Sequence, residues 1–494
     1  MSDGTTNPPT ADLTGNAPQA KRLLWAGFMA ILAAGVGFSI RAGILADWGS
    51  QFGFTQTDLG NITGGGLTGF GIIILVGALI ADKVGYGKLM IFAFLMHFLS
   101  AVLTLAATPV FKAAGKDAAY QCLYWGMFLF AVGNGTAEAV VNPLVATLFP
   151  KNRTHYLNIL HAGWPAGLVV GGLASFFFVG KVRWEIQMSL FLLPVILYGC
   201  MCLGQRFPRS EAATRGIRFS EMLAEFAAPV LLLLLFIHAL LGYVELGTDS
   251  WIGNITGNIL ASREKGLLLF VYTSGLMFAL RFFAGPIVEK ISPLGLLFVG
   301  ATCGAIGLTM LGYAETGLLV VVAATIYGIG KTFLWPTMLA VVSERFPRGG
   351  AVTIGAMGGI GMLSAGLLGG PGIGYNQDYY ASKDLKQKSP PTYDQYKSPT
   401  SNHFLFFPTI QGLDGTKVAE VRGKGAEARS PEETQVHDAD LYGGRMALRM
   451  TAAIPAVMAL LYLILIVYFR ARGGYREVHI SGEEMSGGVK APVP

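Results

Sequence analysis

Charge is what this chain has least of. Only 13% of its 494 residues are Asp, Glu, Lys or Arg, against roughly 25% in an ordinary water-soluble domain. That shortage excludes a soluble fold of this length, whose surface could not be solvated. Cysteine is scarce as well. Cys122, Cys200, Cys202 and Cys303 all lie in apolar runs, without the spacing of a disulfide framework or a metal site, and read as small packing residues. No glycine run leads into a Lys-Ser/Thr pair, so a phosphate-binding loop is not indicated. No nucleophile–base pair or ligand set stands out either, so no enzyme, metal or cofactor is expected. The net charge of +6 is spread over short loops rather than gathered on one element, which argues against nucleic acid as a partner.

What is present is apolar. Hydrophobic residues make up 52% of the chain and the mean hydropathy is +0.52. About twenty apolar residues cross a bilayer as a helix. On that scale we read twelve spans, near 23–48, 62–81, 89–110, 120–149, 156–179, 188–204, 229–252, 267–288, 294–312, 317–342, 351–374 and 447–469. The first run follows Lys21 and Arg22, is too long for a signal-peptide core and is taken as the first helix. The expected organisation is a disordered tail (1–22), a six-helix bundle (23–205), a basic loop (206–227), a second bundle (228–470) with an insertion at 375–446, and a tail (471–494). The fold class is therefore all-α membrane protein, two six-helix halves within a lipid bilayer, expected as a monomer.

Short loops on one side hold Lys21, Arg22, Lys83, Lys88, Lys151, Arg153 and the arginines at 206, 209, 215 and 218. The other side holds far fewer basic residues. The positive-inside rule then puts both termini in the cytoplasm of a multi-pass cell-membrane protein, the inner membrane if the source is a Gram-negative bacterium. The insertion falls outside the cytoplasm, where it reads as a partly ordered lid.

The halves repeat. After the second span comes Gly77-Ala-Leu-Ile-Ala-Asp82-Lys83, and at the matching place of the second half Gly285-Pro-Ile-Val-Glu289-Lys290. Each is a small residue, a few apolar ones, then an acid and a base, suited to close helix approach and a helix-terminus ion pair. A second repeat pairs Glu138-Ala-Val-Val-Asn142-Pro143 with Lys331-Thr-Phe-Leu-Trp335-Pro336. It puts opposite charges at equivalent mid-helix positions.

Span count, central basic loop and repeated motif resemble the major facilitator superfamily. Within it, the run Gly135 to Pro143, the segment Leu157-Asn158-Ile-Leu-His161 and the segment Val244-Glu245 to Trp251 resemble the fucose permease-like sugar:proton symporters. In that family an acid four residues before Asn-Pro serves in proton coupling, which the resemblance carries to Glu138. The family's first-span acid falls at or near Gly43 here, with Arg41 nearby.

The resemblance implies a central cavity lined by spans one, four, seven and ten. Each of these carries an ionisable residue: Arg41, Glu138, Glu245 and Lys331. A charge at mid-membrane costs roughly 2.5–3.5 kcal/mol even on the lenient scale, so these four must face water, solute or one another. The expected solute contacts are Arg41, Asn142, Glu245, Trp251, Lys331 and Trp335, with Lys331 close enough to Glu138 to hold it ionised. His161 and His238 are weaker candidates. Asp249 reads as solvated near the boundary, and Arg281 as part of the gating motif with Asp82, Lys83, Gly285, Glu289 and Lys290. The expected function is secondary transport of a small polar solute, a sugar moved with a proton by alternating access. The alternatives are a carrier of organic or sugar-acid anions clamped by Arg41 and Lys331, and a non-transporting membrane sensor.

Overall fold

The computed structural model describes residues 17–52, 54, 56–178, 181–478 and 480. The expected tail before residue 17, and the C-terminal tail beyond residue 480, lie outside them. Among the described residues twelve long helices form: α1 Pro18–Gly43, α2 Gln56–Val84, α3 Tyr86–Ala114, α4 Lys116–Leu148, α5 Arg153–Phe178, α6 Trp184–Cys202, α7 Pro229–Ile259, α8 Arg263–Arg281, α9 Ala284–Tyr313, α10 Gly317–Arg345, α11 Pro347–Lys388 and α12 Pro431–Ala471. Among the described residues, eleven are long and apolar enough to cross a membrane. The exception, α8, begins Arg-Glu-Lys and ends on Arg281. It stops short of the expected 267–288, because the chain turns at 282–283 and restarts as α9. Ser292, at φ 65°, then kinks α9 just before Pro293.

The side chains show which helices face lipid. On α3, Ile91, Leu95, Phe98 and Val102 are exposed at three- and four-residue spacing, and so are Val457, Leu460, Ile464 and Val467 on α12. That spacing is one stripe of a helix. By contrast, α4 is enclosed by its neighbours over most of its length. In the first half α4 packs on α3 and α2, and α1 on α5; in the second, α9 packs on α10 and α12. The halves meet along α2–α11 and α5–α8.

Glycine sets the closest approaches, and it does so in equivalent places. A Cβ at Gly35 of α1 would stand 2.4 Å from the Trp164 carbonyl of α5. In the second half, a Cβ at Gly242 of α7 would stand 2.0 Å from the Gly361 carbonyl of α11. Any side chain there would force the helices apart.

The polar stretch 375–446 is largely helical. α11 and α12 have 42 and 41 residues, about 60 Å each at 1.5 Å per residue, twice the roughly 30 Å apolar thickness of a bilayer. They therefore project beyond it, on the face opposite the chain termini. Between them lie short helices Pro390–Tyr396 and Gly415–Gly423 and two antiparallel bridges, Lys397 with Leu413 and Asn402 with Ile410. Leu385, Tyr393, Val418, Val421, Val436 and Ala439 give this cap its own small core. The basic loop holds two short helices, Glu211–Thr214 and Phe219–Ala224. Arg153 pairs with Glu211 at 2.8 Å and Arg348 with Glu221 at 2.9 Å, tying the loop to both halves.

Candidate solute and proton site

Two prolines shape the centre. A proline has no N–H for the carbonyl four residues back. Pro165 thus frees the carbonyl of His161 and Pro336 that of Thr332. The helices break there, between His161 and Gly163 in α5 and at Phe333 in α10. Arg281 at the end of α8 takes both orphans: Nη1 donates to His161 O, and Nε to Thr332 O at 2.8 Å. Its Nη2 reaches Glu245 Oε1 at 3.3 Å. This guanidinium is 1% exposed and joins the two halves. It lies in the centre, not beside the gating motif where the sequence suggested.

Lys331 pairs with Asp249, not with Glu138. Its ammonium also lies 5.3 Å from the centre of the Tyr327 ring. Asp249, read as solvated from the sequence, is thus a half-buried partner of Lys331, one turn beyond Glu245. Its four-residue spacing from Glu245 was the signal that could have found it.

Glu138 belongs to a separate arm. Asn142 Nδ2 donates to Glu138 Oε2 at 2.6 Å, and His161 Nε2 donates to Asn142 Oδ1 at 2.8 Å. The nearest base is that imidazole, at 4.0 Å, while Arg281 acts on Glu138 from farther away. The centre therefore holds three carboxylates, the buried Glu138 and Glu245 and the half-buried Asp249, and two cations, Arg281 and Lys331. With every group ionised it carries one surplus negative charge. Glu138 is the carboxylate without a cation of its own.

Arg41 stands apart from this cluster. Its guanidinium lies inside the first half, 4.0 Å from the Phe130 ring centre and 5.0 Å from that of Phe191, and donates to Ser100 Oγ at 2.8 Å and to the Gly37 carbonyl at 3.1 Å. Cation–π contact and hydrogen bonds replace a counter-ion. Trp251 is turned to α11, its Nε1 donating to Gly370 O at 2.9 Å. Trp335 is buried in the second half against His238, ring centres 4.6 Å apart.

The gating motifs lie at the face where the termini emerge. Asp82 is beside the start of the helical run of α11: a Cβ at Gly350 would stand 3.8 Å from its Oδ2. Lys83 sits 5.1 Å from the Phe219 ring centre. Gly285 N donates to His155 Nδ1 at 3.2 Å, while Glu289 and Lys290 are exposed. Further bonds between the halves come from the same stretch of α5: Arg153 to Ser343 O, Thr154 to Glu344 Oε1 at 2.9 Å, and Asn158 to Thr337 Oγ1 at 3.2 Å.

Among solved structures, a variant of the fucose:proton symporter of E. coli superposes with a TM-score of 0.62 at 15% identity, covering 90% of this chain and 98% of its own. A proton:xylose symporter bound to 6-bromo-6-deoxy-D-glucose gives 0.64 at 13%, over 91% and 96%. The human organic anion transporter gives 0.58 at 11%, over 90% and 99%. At such identities the likeness is one of fold. No curated protein sequence matches the chain. The family model of the Major Facilitator Superfamily matches residues 27–370, more than half of the sequence. The chain belongs to the Major Facilitator Superfamily.

Proposed function

We propose that this transporter moves a neutral sugar together with a proton by alternating access, with Glu138 as the proton carrier. The observation that carries this reading is the charge balance of the centre. Arg281 and Lys331 are each engaged by a carboxylate, which leaves neither free to clamp an anion. The surplus negative charge falls on Glu138, and a proton there neutralises the site at the point where it closes to water. The Asn142–His161 arm holds the carboxyl in place without supplying a formal counter-charge. The bonds between the halves along residues 153–161 are those that must break for the termini-bearing face, taken as cytoplasmic, to open. The two solved sugar:proton symporters above are consistent with the same chemistry. Gating by Asp82, Lys83, Gly285, Glu289 and Lys290, and solute contacts at Asn142, Glu245 and Trp335, belong to this proposal.

The test is transport by purified protein in liposomes. Glu138→Gln should abolish concentrative uptake and leave sugar exchange in place. Uphill accumulation at the wild-type rate by Glu138→Gln overturns the assignment.

A second reading, an organic-anion or sugar-acid carrier, rests on Arg41, a buried cation with no carboxylate partner among the described residues. A carboxylate would gain a charge-assisted, bidentate pair that lysine cannot reproduce. Titrating a matched sugar and sugar acid against wild type, Arg41→Lys and Arg41→Gln separates the two readings. Wild type that binds only the acid, and loses it in Arg41→Gln, selects the anion.

A further inference from the structure

Glu344 is a buried carboxylate that the proton arm does not use. It lies at the inner end of α10, 3% exposed, where the two halves close on each other. A carboxylate shut away from water needs donors at both of its oxygens, and here two different elements supply them. Thr154 Oγ1, on α5 of the first half, donates to Oε1 at 2.9 Å. The Tyr475 hydroxyl, from the chain beyond α12, donates to Oε2 at 2.6 Å. One side chain thus joins the seam between the halves to the C-terminal segment.

Local chemistry folds that segment into a strap. α12 ends at Ala471, and Gly473 and Gly474 follow with φ of 90° and 98°, a left-handed turn that glycine makes without steric cost. Gly474 N donates to Phe469 O at 2.8 Å, and the chain folds back over the end of α10. Tyr475 meets Phe469 edge-on, ring centres 5.7 Å apart. Arg345 Nη1 donates to the Arg476 carbonyl at 2.6 Å, and Val478 N to the Glu344 carbonyl at 2.8 Å. Residues 475–478 are therefore held to α10 by side chain and backbone alike, and Ile480 just beyond them is buried too.

We infer that this strap is a latch that holds the gate shut at the face where the termini emerge, and that Tyr475 is the positioning residue through which it acts. A contact shifts an equilibrium between two states only if it is stronger in one of them. With the gate closed, Glu344 is cut off from water, and loss of the Tyr475 hydroxyl leaves Oε2 without a donor. With the gate open, Thr154 has moved away with the first half and water reaches both oxygens, so the same hydroxyl adds little. The strap therefore favours the closed gate, although each of its bonds is to the second half. This rests on the alternating-access reading above, and not on which solute or ion is carried.

The experiment reads opening of the gate on full-length purified protein. Cys122, Cys200, Cys202 and Cys303 are replaced by alanine, and Asn158→Cys puts one thiol at the seam, where Asn158 is 0% exposed. The rate at which a bulky maleimide labels that thiol follows the fraction of open gate, however small. In this background Tyr475→Phe, which keeps the ring against Phe469, should speed labelling about tenfold. Gly473→Ala with Gly474→Ala strains the turn, leaves Tyr475 and the gate residues unchanged, and should speed it as well. Thr154→Val should open the gate directly. Adding Tyr475→Phe to it should give less than the product of the two effects, because both act on one carboxylate. Gel filtration establishes that each variant is folded, and the glycine pair decides the matter should Tyr475→Phe fail to fold. Labelling that ignores the strap variants but rises in Thr154→Val overturns the latch and leaves the proposed function standing. Labelling that rises in none of them, Thr154→Val included, overturns the latch and the gating reading together.

Discussion

The two halves bury charge in opposite ways. In the first half Arg41 has no carboxylate; Phe130, Phe191, Ser100 and a backbone carbonyl stand in for one. Around it His97, Asn134 and Tyr198 form a neutral, fully bonded set. In the second half the cations are in ion pairs, Arg281 with Glu245 and Lys331 with Asp249. A guanidinium held by rings and hydroxyls can be removed without orphaning another charge. A guanidinium held by a carboxylate cannot. The second half thus resists loss of a single partner far less well, and its pairs are the ones positioned to respond when a proton or solute arrives.

The contrast is broken most directly by removing each arginine. Arg281→Met leaves Glu245 buried without its partner and returns two orphan carbonyls, at His161 and Thr332. The expected loss of stability is about 3–5 kcal/mol, read as a large drop in unfolding temperature in detergent, together with loss of transport. Arg41→Met removes hydrogen bonds and cation–π contact only, and should stay within about 1–2 kcal/mol of wild type. Equal destabilisation by the two substitutions would mean that pairing mode is not what separates the halves.

A double substitution sharpens the point. Asp249→Asn or Lys331→Met alone leaves one buried charge uncompensated and should each destabilise by a few kcal/mol. The combination should recover at least about 1 kcal/mol of the summed loss, since it leaves no orphan. Additive effects in thermal unfolding would deny that the two residues act as a pair.

The smallest expected effect concerns the loop that joins the halves. The hydrogen bond from Arg218, with the charges of Arg218 and Arg348, holds the Glu221 carboxyl below the usual carboxylate range. A depressed value means the contribution is whole above the ordinary glutamate range, about 4.3, and fades as pH falls through the folded value. Glu221→Gln should lower the unfolding temperature slightly at pH 7, and the difference should close at strongly acidic pH. Exposed pairs are worth little, so a large gap, or one that persists in acid, would point to another role for Glu221.

Much of this was legible before any coordinates. Apolar run length and the spacing of acid, base and glycine repeats carried the twelve helices and the superfamily. Glu138, Asn142, Glu245, Lys331 and Trp335 stood out as polar or bulky groups on cavity-lining helices, and the structure buries all five. The partners were less legible. Equivalent positions in a repeat suggested that Lys331 faces Glu138, but equivalent residues of two halves need not touch, and Lys331 meets Asp249 within its own half. Arg281 looked like a gate residue because it stands four residues before Gly285. Its reach to the proline-freed carbonyls depends on where α5 and α10 break relative to α8, which no local pattern encodes.

The sequence by itself determined where most of the membrane spans lie, since that depends on the run of apolar residues against a fixed bilayer thickness; α8, not apolar enough by that measure, is the exception. It also determined which carbonyls lose their helical partner, because proline has no N–H for the carbonyl four residues behind it. Only the tertiary structure decided which charges pair and which are left over. Pairing is settled by distances of a few ångströms between helices far apart in sequence, and in a medium without water those distances choose which group must carry the proton.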